Sequence, residues 1–180
     1  GHAFIKTAIN AGARAIVCEI LPDELVDGVT YITVKNSGQA LGTLASNFYD
    51  NPSRKLKLVG VTGTNGKTTT TWMIRSILEA ARGACGLLGT IECSDGIGRA
   101  PSTLTTPESR SLAQFLAATH SHGVRYATLE MSSHALDQQR TVGTQLDVAV
   151  ITNLTRDHFD YHQTFENYRA AKASILSHLK

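Results

Sequence analysis

The hydrophobic pattern is clearest around residues 56–61, where a short apolar run is followed by a glycine-rich turn. A continuous apolar run of this length, bounded by a turn, predicts a buried strand. After the turn, large apolar side chains recur at helical spacing and predict an amphipathic helix. They are Trp72, Met73, Ile74, Ile77, Leu78 and Ala81. The sequence therefore predicts a strand, a loop and a helix in direct succession, with Trp72 and Met73 in the core.

Residues 1–53 show the pattern of a small α/β unit. The predicted elements are helices over residues 4–9 and 40–48 and strands over residues 15–18 and 31–34. Ser37 is a natural cap for the second helix. The apolar stripe of this helix is Ala40, Leu41, Leu44, Ala45 and Phe48. The turn-rich residues 50–54 predict a boundary, so we expect one domain over 1–53 and another over 54–180.

The second domain continues with apolar runs that alternate with helical patterns. The predictions are strands at residues 86–91, 125–130 and 147–153, a polar loop at 94–99, and helices after Thr106 and over 165–179. Thr106, Pro107 and Glu108 suit the N-cap, first position and first turn of a helix. This alternation predicts an α/β fold, a P-loop ATPase-type domain with a mostly parallel sheet.

Composition narrows the class of protein. The 180 residues are 42% hydrophobic and 18% charged, as in an ordinary globular domain, and the net charge of +2 is too small to indicate nucleic acid or an acidic membrane surface. No apolar run approaches membrane-spanning length. The three cysteines lack metal-ligand spacing and indicate reduced thiols in a cytoplasmic protein. Because the first residue is not Met and the last lies in a helical pattern, we expect a fragment of a longer chain.

The loop after the first strand of the second domain predicts a phosphate-binding site. It reads Gly63-Thr64-Asn65-Gly66-Lys67-Thr68-Thr69. Its backbone N–H groups and the following helix N-terminus form an anion site for ATP. Lys67 places a cation beside the outer phosphates, and the Thr68 hydroxyl is a candidate ligand of Mg2+. The usual motif has a glycine where this chain has Val61.

Other candidate residues follow the later predicted strands. Glu130 ends one strand, at the edge where ligands of open α/β sheets lie, and is a candidate Mg2+ ligand. Thr106 is either a helix cap or part of a second anion site. Arg140 is either a clamp for phosphate or carboxylate or a solvated arginine. Ser132-Ser133-His134 is not read as a hydrolase site, because no nucleophile elbow surrounds it.

Two further stretches remain ambiguous on the residues alone. His158 and His162, with Asp157 and Asp160, indicate either a zinc site or a single histidine that completes a Mg2+ or phosphate site. Lys172 falls on the apolar stripe of the last helix. It either snorkels to solvent or points inward as an amine of lowered pKa, which could take up CO2 as a carbamate.

Several stretches together closely resemble the UDP-N-acetylmuramoyl-tripeptide synthetase branch of the Mur ligases. They are residues 63–70, 105–107, 130–140, 153–162 and 168–172. The resemblance implies that residues 1–53 are the last part of a UDP-substrate-binding N-terminal domain. It implies that residues 54–180 are the first part of the central ATP-binding domain. The C-terminal domain of the parent chain would follow, and we expect the fragment alone to be inactive.

The resemblance also implies a role for each matching residue. Residues 63–69 would hold ATP, with Lys67 stabilising the transferring group. Thr68 and Glu130 would hold one Mg2+, and His158 with a carbamylated Lys172 would help to bind a second. The residues implied to hold the UDP-linked substrate are Thr105, Thr106, Ser132, Gln138 and Arg140.

The implied activity is an ATP-dependent amide ligation in cytoplasmic peptidoglycan precursor synthesis. Diaminopimelate or lysine would be added to UDP-MurNAc-L-Ala-D-Glu through an acyl phosphate. Two alternatives stay open. One is a ligase similar to folylpolyglutamate synthases, whose ATP cleavage would respond to a folate. The other is a P-loop regulatory module, whose slow ATP turnover would respond to no acceptor.

Overall fold

The N-terminal unit is small and partly open. The computed structural model describes residues 2–180. A 3-10 turn at His2–Phe4 leads into α1 (Ile5–Asn10), followed by β1 (Ala15–Cys18), β2 (Thr30–Thr33) and α2 (Ser37–Phe48). β1 and β2 form a two-stranded parallel sheet, which confirms the predicted order of elements.

The start of α2 differs from the prediction. Asn36 is the N-cap, and its side chain accepts the Gln39 N–H at 2.8 Å. Ser37 is instead the first helical residue, because its hydroxyl and its N–H both donate to Glu19 Oε1, at 2.9 and 2.8 Å. The Glu19 carboxylate thus ties the end of β1 to the start of α2.

The predicted apolar stripe of α2 is buried only in part. Ala45 is buried, but Leu41, Leu44 and Phe48 are exposed. The buried face of α2 also contains Gly42 and Ser46. These small residues let α2 approach the segment around residue 142 closely, since a Cβ on Gly42 would lie 2.7 Å from Val142. Close approach, rather than hydrophobicity, therefore selects the face that α2 buries.

The turn-rich segment between the two units is ordered. Asp50 and Asn51 have left-handed backbone conformations with φ of 56° and 50°. They are followed by α3 (Pro52–Lys55), which lies beside α5 and leads directly into the central sheet. The boundary at residue 53 stays a prediction.

The central sheet has six strands, of which four are parallel. They are β3 (Lys57–Thr62), β4 (Cys85–Leu88), β5 (Glu92–Ser94), β6 (Arg99–Pro101), β7 (Tyr126–Glu130) and β8 (Val148–Ile151). The order is β6-β5-β4-β7-β3-β8, with β4, β7, β3 and β8 parallel and the β4–β5–β6 pairs antiparallel. Register pairs Val61 with Glu130 and Thr62 with Ile151. The carboxyl ends of the three central strands therefore meet at one edge, where ligands bind in such folds.

Helices surround this sheet and complete the core. They are α4 (Lys67–Arg82), α5 (Ser109–Ser121), α6 (Ser133–Asp137), α7 (Phe159–His162) and α8 (Phe165–Ala173), which continues as a 3-10 turn over Ser174–His178. The main core cluster includes Leu58, Leu112, Leu116, Leu129, Met131, Leu146 and Ile175. In residues 2–180, every helix is too short or too polar to span a lipid bilayer.

The polar loop predicted at 94–99 is confirmed as the turn of the β5–β6 hairpin, in which Asp95 accepts the N–H groups of Ile97 and Gly98. Two other local predictions in this domain are wrong. The helix after Thr106 begins at Ser109 with Glu108 as its N-cap, because Thr106 is held elsewhere. Met73 is 60% exposed, while a charged residue of the same helix, Arg75, is 4% exposed.

Asp147, just before β8, binds the start of β3 and the last residue, Lys180, and these contacts give a pH-dependent prediction. Its carboxylate accepts bonds from Leu58 N, Lys57 Nζ and Lys180 Nζ at 2.9, 2.8 and 2.6 Å. Burial acts to raise its pKa, but the bonds from Lys180, Lys57 and Leu58 outweigh burial and lower the pKa to about 2.

We expect Asp147→Asn to lower the free energy of unfolding by about 2 kcal/mol at neutral pH. The folded-state pKa lies below the unfolded value, so this stabilisation is complete above about pH 4. It is lost as the pH falls towards 2. Urea denaturation of both proteins across this range is the measurement, and an equal difference at pH 7 and pH 3 would contradict the assignment.

Candidate nucleotide-binding site

The loop between β3 and α4 has the backbone of an anion cradle. Gly63 and Gly66 have φ of 148° and 82°, values that favour glycine. A Cβ on Gly63 would lie 1.9 Å from Thr152 Oγ1, so the approach of β8 also requires glycine. Val61, in the place of the usual glycine, is a fully buried residue of β3. The tight turn therefore begins two residues later than in the common motif.

Two residues at the end of β8 hold the loop from one side. The Asn65 N–H donates to Asn153 Oδ1 at 3.1 Å, and Asn153 Nδ2 donates back to Asn65 O at 3.0 Å. Thr152 Oγ1 donates to the same Asn65 oxygen at 2.6 Å. The predicted loop residue Asn65 thus fixes the shape of the loop through its backbone.

Thr64 connects the loop to α8. Its side chain is buried, and its hydroxyl lies 2.8 Å from the Tyr168 hydroxyl and 3.2 Å from Thr155 O. The Thr155 N–H donates to the Thr64 hydroxyl at 3.0 Å. The side chain of Thr64 therefore supports the loop from behind, a role that the sequence pattern does not distinguish from ligand contact.

Lys67 begins α4 and folds back over the loop. Its Nζ donates to Gly63 O at 2.9 Å and to Thr64 O at 3.0 Å. Burial lowers the pKa of this amine. The sixteen-residue helix that starts here leaves its first N–H groups without helical partners. Together, those N–H groups and the Lys67 amine form a site whose hydrogen-bond donors and positive charge favour binding of a phosphate group.

Glu130 is the most enclosed charged group of the site. It is fully buried at the end of β7. The Thr68 hydroxyl donates to Oε2 at 3.0 Å, while the Thr90 N–H and hydroxyl donate to Oε1 and Oε2, each at 3.0 Å. A Cβ on Gly89 would lie 2.2 Å from Oε1. Hydroxyl and carboxylate oxygens are the donors that Mg2+ prefers, so Thr68 and Glu130 fit this ion.

Thr106 links β7 to the segment before α5. Its hydroxyl donates to Glu130 O at 2.8 Å and accepts the Ser132 N–H at 3.0 Å, which explains why it does not cap α5. Ser132 is itself the N-cap of α6, accepting the Ala135 N–H at 3.2 Å. Thr105 lies beside them, with its hydroxyl 3.0 Å from that of Thr90.

Arg140 is oriented by the same group of residues. Its Nη1 donates to Thr106 O at 3.3 Å, and its Nη2 donates to Gln138 Oε1. The Gln138 amide in turn donates to the Tyr161 hydroxyl at 3.2 Å. Arg140 is therefore held rather than freely solvated, which favours the clamp interpretation.

His134 lies against the two histidines of the predicted cluster, His158 and His162, with edge-on or tilted ring contacts. The His134 ring lies 4.8 Å from His158 and 5.4 Å from His162, between ring centres. The His158 side chain is 46% exposed, whereas His162 is 4% exposed. In the described part of the chain, no three His, Cys, Asp or Glu side chains converge as a metal would require. The alternative of a zinc site built on His158 and His162 is therefore not supported.

Lys172 points inward. It is 1% exposed, its Nζ donates to Gly63 O at 2.8 Å, and the amine lies 4.7 Å from the centre of the Tyr168 ring. Burial, with a smaller effect of the Lys67 charge, lowers the pKa of Lys172 to about 8. The snorkelling alternative is wrong, because the apolar stripe of α8 faces the back of the loop.

These residues surround one cleft of about 550 Å³. Its lining includes most of the predicted site residues, namely Thr64, Asn65, Gly66, Lys67, Thr68, Thr69, Thr105, Thr106, Glu130, Ser132, Arg140 and His158. Lys172 approaches the loop from α8 and bonds to Gly63 O, and Gln138 supports Arg140. Thr90, Leu104 and His134 also line the cleft, although sequence analysis did not select them as site residues. Thr90 falls inside the strand predicted over residues 86–91, whereas β4 ends at Leu88, so the sequence pattern did not mark it as a residue of the sheet edge.

The fold and the cleft together define a class of protein. A glycine-rich loop joins a central parallel strand to a helix, and a buried carboxylate ends the adjacent strand. This arrangement is that of a P-loop nucleotide-binding domain.

Comparison with known proteins gives the family. The Mur ligase middle domain family matches residues 61–180, and the chain belongs to this family. A curated relative in Clostridium tetani, the UDP-N-acetylmuramoyl-L-alanyl-D-glutamate–2,6-diaminopimelate ligase, is 46% identical over 178 residues. That alignment covers 98% of this chain and 37% of the relative, so the chain spans little more than a third of its length.

Solved structures agree with this assignment. A UDP-N-acetylmuramoyl-L-alanyl-D-glutamate–2,6-diaminopimelate ligase superposes with a TM-score of 0.81 at 30% identity, covering 99% of this chain and 36% of that one. E. coli FolC in complex with DHPP and ADP superposes with a TM-score of 0.52 at 19% identity, covering 87% of this chain and 41% of that one. The FolC likeness shows a shared fold alone.

Gly89→Ala tests the tight packing around Glu130. The added methyl overlaps Oε1, so the carboxylate must move and its bonds to Thr90 must lengthen. We expect the free energy of unfolding to fall by about 1–3 kcal/mol. Thermal and urea denaturation measure this effect.

Gly98→Ala is the matched control for that substitution. The atoms nearest to its added Cβ are Asp95 oxygens at 3.7 and 3.9 Å, which is ordinary contact. A Gly89→Ala protein as stable as the Gly98→Ala protein would show that Glu130 is not packed against Gly89.

Proposed function

We propose that the full-length protein containing this chain is a cytoplasmic ATP-dependent ligase of peptidoglycan precursor synthesis. It would add diaminopimelate or lysine to UDP-MurNAc-L-Ala-D-Glu. One observation supports this proposal most strongly. Lys67 and the start of α4, which suit phosphate, line the same cleft as Arg140, which suits a substrate carboxylate.

The reaction needs anions brought together and their charges neutralised. ATP phosphates would lie along residues 63–69, with the Lys67 amine next to the γ-phosphoryl group. The D-Glu side-chain carboxylate attacks the γ-phosphorus and ADP leaves, which gives an acyl phosphate. The amine of the diamino acid then attacks the acyl carbon, loses a proton, and releases inorganic phosphate.

Thr68 and Glu130 would hold Mg2+, which supplies positive charge at the transferring phosphoryl group. The donor set supports this assignment, because both side chains offer oxygen atoms and already lie 3.0 Å apart. Thr105, Thr106, Ser132 and Arg140 would bind the UDP-linked substrate, and Gln138 would orient Arg140. His158 lines the same cleft and would approach the second metal position.

Lys172 would act in the proposed ligase as a carbamate. A lysine with a pKa of about 8 carries a sizeable fraction of free amine near neutral pH. That amine attacks CO2 and loses a proton, which converts a buried cation into a carboxylate-like anion. With His158, this anion would help to hold a second Mg2+.

The alternatives have less support. A ligase that acts on folates would share the P-loop, but its likeness to this chain is confined to the fold. A regulatory P-loop module does not require the group of Arg140, Thr106 and Ser132 that lines the same cleft as the loop. The proposed C-terminal domain would supply the pocket that selects the diamino acid.

Phosphate release by the full-length protein tests the proposed activity. With ATP and Mg2+, release should require both UDP-MurNAc-L-Ala-D-Glu and one diamino acid from a panel. Arg140→Met should raise the KM for the UDP-linked dipeptide about tenfold or more, because a charge-assisted contact is lost.

Arg110→Met is the matched control, since Arg110 is an exposed residue of α5. Its KM for the UDP-linked dipeptide should equal that of the unmodified protein. Release that is stimulated by a folate, or that ignores every acceptor, would contradict the proposed substrate.

Bicarbonate dependence tests the carbamate. Activity of the full-length protein depleted of CO2 should recover when bicarbonate is added. 13C NMR with labelled bicarbonate should show a carbamate resonance that Lys172→Ala abolishes. Lys35→Ala changes an exposed lysine and should retain both the bicarbonate-dependent activity and the carbamate resonance. A carbamate resonance that survives in Lys172→Ala would assign the modification to another amine.

A further inference from the structure

Arg75 is a buried cation with no part in the proposed chemistry. It lies two turns into α4 from Thr68 and is 4% exposed, although Met73 and Ile77 of the same helix are exposed. Burying a guanidinium is costly unless its N–H groups are paired. Here Nε donates to Glu79 Oε1 at 2.8 Å and Nη1 donates to Glu92 Oε1 at 2.6 Å. The guanidinium also lies 5.6 Å from the centre of the Trp72 ring.

The two carboxylates that pair with Arg75 have different places in the fold. Glu79 lies one turn further along α4, and its side chain is 39% exposed. Glu92 is the first residue of β5, and its side chain is 17% exposed. The pair with Glu79 stays within one helix, whereas the pair with Glu92 joins that helix to the turn after β4.

This turn, residues 89–92, forms part of the cleft wall. It is closed by a bond from Gly89 N to Glu92 O at 3.2 Å. Within it, Thr90 donates to both carboxylate oxygens of Glu130, and its hydroxyl lies 3.0 Å from that of Thr105. A shift of the turn relative to α4 would therefore disturb the bonds that orient the Glu130 carboxylate.

We propose that Arg75 is a positioning residue that acts through Glu92. It would hold the 89–92 turn against α4, so that Thr90 keeps the Glu130 carboxylate facing Thr68. The inference rests on the proposed function, in which Glu130 and Thr68 bind Mg2+. Its physical basis is a closed loop of contacts that starts and ends on α4: Thr68, Glu130, Thr90, Glu92 and Arg75.

The geometry of this loop explains why a charged pair is used. Thr68 and Arg75 are seven residues apart, about two helical turns or 10 Å along one rigid axis. The Thr68 hydroxyl, which would face the metal, and the Arg75 guanidinium, which holds Glu92, therefore move together on one helix. Arginine suits this role because its planar fork reaches two carboxylates in fixed directions. Lysine offers a single point charge and cannot hold both Glu79 and Glu92 in this way.

Glu92→Gln in the full-length protein tests the inference, with Glu79→Gln as its matched control. Both changes remove one carboxylate charge from Arg75, but only the first loosens the turn. Mn2+ is the metal probe, and its binding is followed by electron paramagnetic resonance with a non-hydrolysable ATP analogue. Glu92→Gln should raise the Kd for Mn2+ about tenfold, as losses of supporting groups around a metal do. Glu79→Gln should change it by less than about twofold.

A second readout separates positioning from stability. The Mg2+ concentration for half-maximal acceptor-dependent phosphate release should rise in Glu92→Gln by a factor similar to that for Mn2+. Thermal denaturation should show that both variants remain folded at the assay temperature. If Glu92→Gln does not fold, Arg75→Lys takes its place, and its Kd for Mn2+ should rise likewise.

The results distinguish this inference from the proposed function. An equal Kd for Mn2+ in Glu92→Gln and Glu79→Gln would leave Arg75 a purely structural residue and overturn the inference. This conclusion would stand even if the unmodified protein is a working ligase. An unmodified protein whose phosphate release ignores every acceptor would instead overturn the proposed function on which the inference rests.

Discussion

The site depends on one buried carboxylate, that of Glu130. An ionised group that is fully removed from water must be compensated by hydrogen bonds, and here three donors come from two different segments of the chain. Thr68 brings the start of α4 to the carboxylate, and Thr90 brings the turn after β4. Thr106, bonded to the backbone oxygen of the same residue, brings the segment before α5. The order of strands at the sheet edge places Glu130 where all of these segments meet.

A second constraint is the convergence of two lysines on one carbonyl. Lys67 and Lys172 both donate to Gly63 O, at 2.9 and 2.8 Å. Burial lowers the pKa of each amine, and the charge of Lys67 lowers that of Lys172 further. In the proposed ligase, phosphate in front of the loop would stabilise the Lys67 cation. A carbamate behind the loop would remove the competing charge of Lys172. Phosphate binding beside Lys67 and carbamate formation on Lys172 would therefore both reduce the repulsion between these two buried amines.

Much of this arrangement was predictable from the sequence because it is local. The strand, the loop and the start of α4 follow from an apolar run, two glycines and an amphipathic pattern. Glu130 and the residues around 153 follow from their positions after buried strands. The inward direction of Lys172 follows from its place on an apolar stripe, although periodicity alone did not choose between snorkelling and burial.

The missed features all depend on contacts between distant segments. Thr106 looks like a helix cap, but the end of β7 lies nearer to its hydroxyl than the N–H groups of α5. Thr90 has no local pattern that marks it as a partner of a carboxylate forty residues away. Arg75 lies among apolar positions of α4, and its burial becomes favourable only when the start of β5 brings Glu92 beside it. The helical pattern of a sequence reports only where apolar residues recur, so it cannot predict a buried ion pair with a distant segment.

The contact between the N-terminal unit and the segment around Gly143 also joins distant parts of the chain, and it connects this unit to the site. Gly143 has a φ of 85°, and a Cβ there would lie 2.7 Å from Ser46. Its carbonyl accepts the hydroxyls of Ser46 and Ser53, each at 3.1 Å. Gly143 lies three residues after Arg140, so α2 and α3 rest on the segment that holds the proposed substrate clamp. Because close contacts at Gly42 and Gly143 set this distance, the small residues of α2 determine how closely the N-terminal unit approaches that segment. The exposed apolar residues of α2 do not take part in this contact.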